Sequence, residues 1–196
     1  VVQYVDKFIL KNELTGGKQY LFLVMDFYSN MDLFNFYSKH INEKINQNLL
    51  RSIAYQVLTI LNAIHKKNVV HHDVKLANFL IVSLNPLKLK ITDFELSVKL
   101  NDNEITTQPL GTSIYMAPEL LNCEPHNSGV DIWALGIMLY QLIEKKLPFN
   151  LKSEQPQIYI NRLKLQNNSL SFDERCNDTV FIDLLSKLLE KNPLNR

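Results

Sequence analysis

The sequence lacks a large excess of charge of either sign and a long apolar run, and its first ten residues do not predict a signal peptide. Its 196 residues carry 21 Lys and Arg against 20 Asp and Glu, a net charge of +1, which gives no sign of a nucleic-acid surface. No stretch reaches the roughly 18 uninterrupted apolar residues of a membrane span. Residues 1–10 include Asp6 and Lys7 and lack the apolar core of a signal peptide.

Cysteine is also scarce. Cys123 and Cys176 are the two thiols of the chain, a number typical of a reducing compartment. The Asn-x-Ser/Thr matches at Asn167 and Asn177 are then chance matches rather than glycosylation sites. We therefore expect an intracellular protein, cytoplasmic or nuclear. With 46% apolar and 21% charged residues, the composition is that of one globular domain or a large piece of one.

The order of predicted elements favours an α+β fold with a helical bulk. Two strands are predicted at residues 1–9 and 20–27, joined by a turn at residues 15–18. The second strand is nearly all apolar, which predicts burial on both faces. A second hairpin is predicted at residues 79–91, around the turn at Asn85-Pro86.

Three later segments show helical patterns. Residues 49–65 place apolar side chains at a three-and-four spacing, which is typical of a core-facing helix. Residues 131–143 are apolar nearly all round, which predicts a helix in the middle of the domain. Residues 180–189 are amphipathic, with Asn177 or Asp178 placed to cap the helix.

Four short motifs carry the chemical information. They are HHDVKLANFL at 71–80, DFE at 93–95, GTSIYMAPE at 111–119 and DIWALG at 131–136. Each motif alone is weak, because a lone Asp-Phe or Ala-Pro-Glu occurs often by chance. Their order and spacing together are specific. The chain resembles the protein kinase family, whose catalytic loop, metal-binding triplet, activation-segment end and central helix carry these signatures.

The resemblance covers essentially the whole chain and implies a protein kinase-like fold. Residues 1–29 would be remnant strands of the β-rich N-lobe with the hinge, and residues 30–196 would be the helical C-lobe. Lys75, two positions after Asp73, and Gly111-Thr112 resemble the serine/threonine branch rather than the tyrosine branch. The implied activity is transfer of the ATP γ-phosphate to protein hydroxyls, with Mg²⁺ as the metal cofactor.

The resemblance also implies the catalytic and metal-binding residues. Asp73 would accept or orient the proton of the substrate hydroxyl, Lys75 would sit near the transferring phosphate, and Thr112 would contact Asp73. Asn78 and Asp93 would bind Mg²⁺, since both offer the hard oxygen ligands that this ion prefers. An Asp or Asn in a turn is more often a simple cap, but the four motifs together outweigh that alternative.

Residues 23–32 resemble the hinge between the two lobes, which holds the adenine of ATP. The backbone of Asp26, Phe27 and Tyr28 would hydrogen-bond the base. Three further side chains would line the nucleotide site, with the gatekeeper at Met25, a ribose contact at Asp32 and the floor of the adenine pocket at Leu80. The alternative is that the apolar members of this set are ordinary core residues.

Other family positions are expected to be structural. His71 and Phe94 would stack in the apolar column of the active arrangement. Asp131 would hold the catalytic-loop backbone from the buried helix. Glu119 would pair with Arg196, because residues 191–196 resemble the late arginine motif of the family.

Three departures from the family pattern stand out. No Gly-x-Gly-x-x-Gly loop occurs, and the phosphate-gripping lysine would precede Val1, so we expect a fragment with little or no activity by itself. The unpaired sheet edge of such a fragment predicts poor solubility. His72 stands where most members have an arginine that receives a phosphorylated activation loop, so we expect weak dependence on phosphorylation of Thr106 and Thr107. Glu95 stands where the family has glycine, and it would bind metal, restrict the flip of the triplet or mark lost activity.

Two functions therefore compete. The first is an ATP- and Mg²⁺-dependent serine/threonine kinase acting on a protein substrate, and the second is a pseudokinase or truncated lobe that serves as a binding scaffold. A glycine loop and its lysine in upstream sequence would favour the enzyme. Residues 156–165 lie in a region that commonly docks partners in this family. The substrate, the subfamily and the oligomeric state are not predicted.

Overall fold

A computed structural model of the chain describes residues 1–12, 17–43, 45–100, 106–150, 170–172 and 178–196. Within these ranges the helices are α1 Leu33–Lys39, α2 Gln47–His65, α3 Pro118–Leu121, α4 Gly129–Glu144 and α5 Thr179–Leu188. The strands are β1 Tyr4–Asn12, β2 Lys18–Met25, β3 Val69–Val70, β4 Phe79–Leu84, β5 Leu87–Ile91 and β6 Val98–Lys99. The mixture of small sheets and a larger helical part confirms the predicted α+β class.

The core of the molecule is built around α4. This helix is buried nearly all round, as its apolar sequence predicted, and Trp133 at its centre is fully buried. Helices α2 and α5 both pack against it. The predicted apolar stripe of α2 faces the core, because Ile53, Val57 and Leu61 are completely buried. The third predicted helix also forms, and Asp178 caps α5 by accepting hydrogen bonds from the first-turn amides.

The strands form three separate two-stranded antiparallel sheets, which pair β1 with β2, β3 with β6, and β4 with β5. The β4–β5 hairpin turns at a cis Asn85-Pro86 bond, at the predicted turn. Helix α2 holds its outer strand through Gln56, whose side-chain amide donates to the carbonyl of Leu87 and accepts from the amide of Leu89 at 2.7 Å. This hairpin therefore rests firmly on the helical core, and both of its ends reach the candidate site.

The β1–β2 hairpin corrects one prediction. Burial of the second strand on both faces was predicted, but every residue of β2 is exposed. The prediction is wrong because no further strand or helix within the described ranges covers either face of this two-stranded sheet. Cross-strand pairs such as Phe8 and Phe22, whose stacked rings have centroids 5.0 Å apart, are its main apolar contacts. The turn predicted at residues 15–18 lies partly outside the described residues. The predicted docking region at 156–165 lies entirely outside them.

Candidate active site

The loop between β3 and β4 is fixed by the buried helix α4. Asp131, which is 1% exposed, accepts the amide of His71 at its Oδ2 atom (2.8 Å) and the amide of His72 at its Oδ1 atom (2.9 Å). The Nε2 atom of His65, at the end of α2, lies 2.8 Å from the same Oδ2 atom. The predicted role of Asp131 is therefore confirmed, and the catalytic loop is anchored to a buried helix of the core.

The four residues predicted to be catalytic come together at one carboxylate. Thr112 donates to Oδ1 of Asp73 (2.7 Å), and Nζ of Lys75 lies 2.7 Å from its Oδ2. The side-chain amide of Asn78 donates to the carbonyl of Asp73 (2.8 Å) and to its Oδ2 (3.0 Å). Lys75 also donates to the hydroxyl oxygen of Thr112 (3.1 Å), which closes the network. Each side chain is thereby held in place before any ligand binds.

This network keeps the Asp73 carboxyl ionised although it is only 5% exposed. Burial by itself raises the pKa of Asp73, because a low-dielectric surrounding disfavours charge. Hydrogen bonds from Lys75, Thr112 and Asn78, together with the charge of Lys75, outweigh burial and place the pKa of Asp73 below its usual value. The carboxylate is therefore a hydrogen-bond acceptor at neutral pH, which is the state that receiving a hydroxyl proton requires.

The two predicted metal ligands lie at the two ends of the β4–β5 hairpin. Phe79 pairs with Ile91 in the hairpin, and the amide of Thr92 donates to the carbonyl of Asn78 (3.0 Å). Asn78, directly before β4, and Asp93, two residues after β5, therefore both lie next to this pair. Asn78 uses its NH₂ group towards Asp73, and its Oδ1 atom makes no hydrogen bond to the described part of the chain. Asp93 is exposed, and its carboxylate makes no hydrogen bond to the described residues.

These two oxygen donors fit Mg²⁺, which takes one or two protein ligands and completes its shell with phosphate oxygens and water. Among the described residues no cluster of three or more His, Cys, Asp or Glu side chains could hold a metal ion by itself. Asp93 also has a φ of 64°, a conformation that costs a non-glycine residue energy and is typical of functional sites. Next to it, the rings of His71 and Phe94 meet edge to face at 4.8 Å, which confirms their predicted packing.

The predicted hinge follows β2 directly. The amide of Asp26 donates to the carbonyl of Gln3 (3.0 Å). The carbonyl of Asp26 and the amide of Tyr28 make no hydrogen bonds to the described residues. Such free backbone groups are what recognition of a base edge needs. The hydroxyl of Tyr28 donates to Oδ2 of Asp26 (2.9 Å), and Lys90 of β5 contacts both side chains. The side chains of Met25 and Phe27 are exposed.

Asp32 and Leu80 lie side by side, because they form an isolated antiparallel bridge between the hinge end and β4. Asp32 caps α1 by accepting the amide of Asn35 (2.7 Å), and its second oxygen accepts the side-chain amide of the same residue (2.8 Å). The sequence pattern had not predicted this cap. The nucleotide contacts of the hinge residues, Asp32 and Leu80 stay predictions.

Glu95 has ordinary geometry. Among the described residues, six non-glycine residues have a positive φ, and Asp93 is one of them while Glu95 is not. The side chain of Glu95 is exposed and makes no hydrogen bond or ion pair to the described part of the chain. The left-handed conformation that would favour glycine is therefore not used at this position.

Sequence reasoning named Gly111 only as part of a family motif, without its contact, and it missed two other site residues, His126 and Lys90. Gly111 (φ 116°) lies so close to the catalytic loop that a Cβ atom would sit 2.2 Å from the carbonyl oxygen of His72. His126 contacts the ring of His72, and Lys90 contacts the hinge. The sequence carries a signal only for Gly111, which opens a family motif. His126 and Lys90 are isolated in the sequence, and they reach the site only through the fold.

The predicted pair of Glu119 and Arg196 forms a fork. Nη1 and Nη2 of Arg196 donate to the two oxygens of Glu119 at 2.8 and 3.1 Å, and the arginine and glutamate side chains are 0% and 3% exposed. Arg196 also donates to the carbonyl of Gly129 (3.0 Å), and its guanidinium lies 5.1 Å from the ring centre of Trp133. The end of the activation segment is thereby tied to α4 and to the last described turn.

Comparison with known proteins agrees with this geometry. The family model described as "Protein kinase domain" matches residues 1–196, so the chain belongs to the protein kinase family. It is 35% identical over 79% of its length to "Serine/threonine-protein kinase 17A" of Oryctolagus cuniculus, covering 38% of that protein. It is 32% identical over 92% of its length to "Phosphorylase b kinase gamma catalytic chain, liver/testis isoform" of Bos taurus, covering 45% of it.

A third relative is "Aurora kinase" of Eremothecium gossypii, with 30% identity over 90% of the chain and 46% of the relative. The chain thus spans less than half the length of these relatives. The family match, together with the printed name of the first relative, confirms the serine/threonine branch of the protein kinase family. ATP and Mg²⁺ are the general cofactors of this family. The division into residues 1–29 and 30–196 stays a prediction.

Proposed function

We propose that the protein containing this chain transfers the γ-phosphate of ATP to serine or threonine hydroxyls of protein substrates. The observation that carries the proposal is the buried, ionised carboxylate of Asp73, bonded at once to Lys75, Thr112 and Asn78. Phosphoryl transfer requires positioning and charge neutralisation more than covalent chemistry, and this network supplies both.

Each side chain has a definite part in the proposed reaction. Asp73 accepts a hydrogen bond from the substrate hydroxyl and takes its proton as the oxygen bonds to the γ-phosphorus of ATP, whose bond to the β–γ bridging oxygen breaks to release ADP. Lys75, held between Asp73 and Thr112, places a cation beside the transferring phosphoryl group. Thr112 fixes the carboxylate from the activation segment, so that a displaced segment would leave Asp73 misaligned.

The proposed cofactors are ATP and Mg²⁺. Bound Mg²⁺ would neutralise the negative charge of the phosphates during transfer. The side-chain oxygen of Asn78 and the carboxylate of Asp93 would hold it, as both are available for coordination. The backbone of Asp26, Phe27 and Tyr28 would bind the adenine, with Met25, Asp32 and Leu80 around it. Among the described residues no helix is long and apolar enough to cross a membrane. Separately, the low cysteine count supports our proposal of a cytoplasmic or nuclear location.

The test is Asp73→Asn in the full-length protein, assayed for Mg²⁺-dependent transfer of labelled phosphate from ATP to a protein substrate. Removing the general base should lower kcat by at least about 100-fold. Asp183→Asn is the matched control, since it makes the same chemical change at an exposed residue of α5. Equal activity of the two variants would refute the catalytic proposal and leave a scaffold lobe as the function.

A further inference from the structure

One cluster of polar side chains at the hinge has no part in the proposed reaction. The hydroxyl of Tyr28 donates to Oδ2 of Asp26 at 2.9 Å, and Nζ of Lys90 donates to the oxygen of the same hydroxyl. Nζ of Lys90 also lies 3.7 Å from Oδ2 of Asp26. Because an ammonium group only donates and a carboxylate only accepts, the hydroxyl is bonded in both directions. Asp26, Tyr28 and Lys90 thus form a closed triangle, which we call the hinge cluster.

The hinge cluster holds the two residues whose backbone groups are available to a ligand. The carbonyl of Asp26 and the amide of Tyr28 make no hydrogen bonds to the described residues. The side chains of the same two residues contact Lys90 of β5, whereas Phe27 between them is 88% exposed. The position of Lys90 therefore influences how the peptide groups of residues 26–28 are oriented.

Further along the chain, the hinge is tied to the β4–β5 hairpin by other contacts. The side-chain amide of Asn30 donates to the carbonyl of Val82 (2.8 Å), and residues 30–32 also bond β4 through the backbone. Within the described ranges, no hydrogen bond or ion pair except those of Lys90 joins residues 26–28 directly to the hairpin. Loss of the Lys90 ammonium would therefore release residues 26–28 and leave residues 30–32 attached.

Lys90 lies on the strand that leads to a predicted metal ligand. It pairs with Leu80 in the β4–β5 hairpin, so the two side chains stand on the same face of the sheet. Leu80 is the predicted floor of the adenine pocket, and Asp93, three positions after Lys90, is the predicted ligand of Mg²⁺. One short strand thus links the part of the hinge that would bind adenine to the residue that would bind the metal.

We propose that Lys90 is a positioning residue for ATP, which fixes the backbone of residues 26–28 for the adenine through its contacts with Tyr28 and Asp26. The inference rests on the proposed function where it concerns ATP. The Lys90 and Asp26 side chains are 32% and 36% exposed, so the ammonium can be removed without leaving a buried charge unpaired. Within the described residues, no member of the hinge cluster bonds to Asp73, so its loss should change nucleotide affinity rather than phosphoryl transfer.

The experiment compares Lys90→Met with Lys88→Met in the full-length protein. Both substitutions keep an unbranched side chain and remove one ammonium from the outward face of β5. Lys88 is the matched control, because it is exposed and makes no side-chain hydrogen bond or ion pair to the described residues. Lys90→Met should raise the Kd of a non-hydrolysable ATP analogue and the KM for ATP about fivefold, with kcat within about twofold of wild type. Lys88→Met should match wild type in all three.

A second variant tests whether the effect passes through the hydroxyl of Tyr28. Tyr28→Phe should also raise the Kd of the analogue, because it removes the bonds to Lys90 and Asp26. When it is combined with Lys90→Met, the loss of affinity should be smaller than the product of the two single losses, since both changes remove one shared bond. Losses that multiply fully would show that Lys90 acts independently of the hinge cluster and would overturn the proposal.

Hydrogen exchange reports on the hinge without nucleotide, because the amide of Asp26 is bonded to the carbonyl of Gln3. Its protection should fall about fivefold in Lys90→Met and stay at the wild-type level in Lys88→Met. An unchanged Kd in Lys90→Met, or an equal rise in Lys88→Met, would contradict the proposal. Failure of the wild-type protein to bind the analogue would defeat the proposed function, and in that case unchanged protection of the Asp26 amide in Lys90→Met would overturn this inference as well.

Discussion

At the scale of the residue, Glu95 shows how a departure from a family pattern is weighed by its geometry. Three readings of this residue were open from the sequence, namely metal binding, restriction of the triplet and lost activity. In the structure its φ is not positive and its side chain is exposed, whereas the strained backbone belongs to Asp93. Glu95 therefore neither adopts a conformation that glycine would favour nor makes a contact with the described residues that its replacement would remove.

We accordingly expect Glu95→Gly to change kcat of the full-length protein by less than about threefold, since an exposed side chain without partners is replaced. Steady-state assays at saturating ATP and Mg²⁺ measure this directly. Glu95→Ala separates the loss of the carboxylate from the added backbone freedom of glycine. A gain of tenfold or more in the glycine variant alone would show that Glu95 restricts the triplet.

At the scale of the element, the segment between β6 and α3 is held by contacts that need no phosphate. Its described part is tied by the backbone pair of Thr106 and His126, by Gly111 against His72 and by Thr112 on Asp73. The buried His72 ring faces another imidazole, and burial lowers its pKa, so it attracts an anion less well than an arginine would.

We therefore predict that the double variant Thr106→Ala and Thr107→Ala keeps most of its activity in the full-length protein. The backbone pair survives the change, and within the described ranges the one side-chain hydrogen bond lost is that from the amide of Gln108 to the Thr106 hydroxyl (3.3 Å). Kinase assays on protein treated with phosphatase, compared with untreated protein, give an independent measure. Complete loss of activity in the double variant would contradict the prediction.

At the scale of the whole molecule, the Glu119–Arg196 fork joins distant parts of the chain. It connects α3, the start of α4 through Gly129, and the indole of Trp133 in the centre of the core. Both charges are almost completely buried. A buried pair contributes little net energy when complete, but removing one partner leaves the other charge uncompensated.

Glu119→Gln should therefore lower the free energy of unfolding by about 3–5 kcal/mol, because the guanidinium of Arg196 stays buried without its counter-ion. Urea unfolding followed by tryptophan fluorescence measures the change, since Trp133 is the single tryptophan of the chain. Asp183→Asn breaks the exposed pair with Lys187 and should cost less than about 1 kcal/mol. Similar losses of unfolding free energy in the two variants would show that the buried pair stabilises the fold no more than the exposed pair does.

Sequence reasoning succeeded where the signal is local or periodic. The motif at residues 71–80 places Asp73, Lys75 and Asn78 within a few positions of one another, so their proximity follows from short spacing. Helix α2 follows from its apolar periodicity, and helix α4 follows from a segment that is apolar nearly all round. The candidate active-site residues follow from the family resemblance. Burial of β2 was predicted wrongly, because apolar residues show that a strand can be buried but not whether another element covers it.

The sequence by itself determined the family, the order of elements and the candidate catalytic, metal and hinge residues, because these depend on residue type at short and fixed spacings. Only the tertiary structure decided that Asp73 is held in its ionised state by three partners, that His126 meets His72 and that Gly111 touches the catalytic loop. Such contacts join residues dozens of positions apart, and their distances and burial arise when α4 draws these segments together around one core.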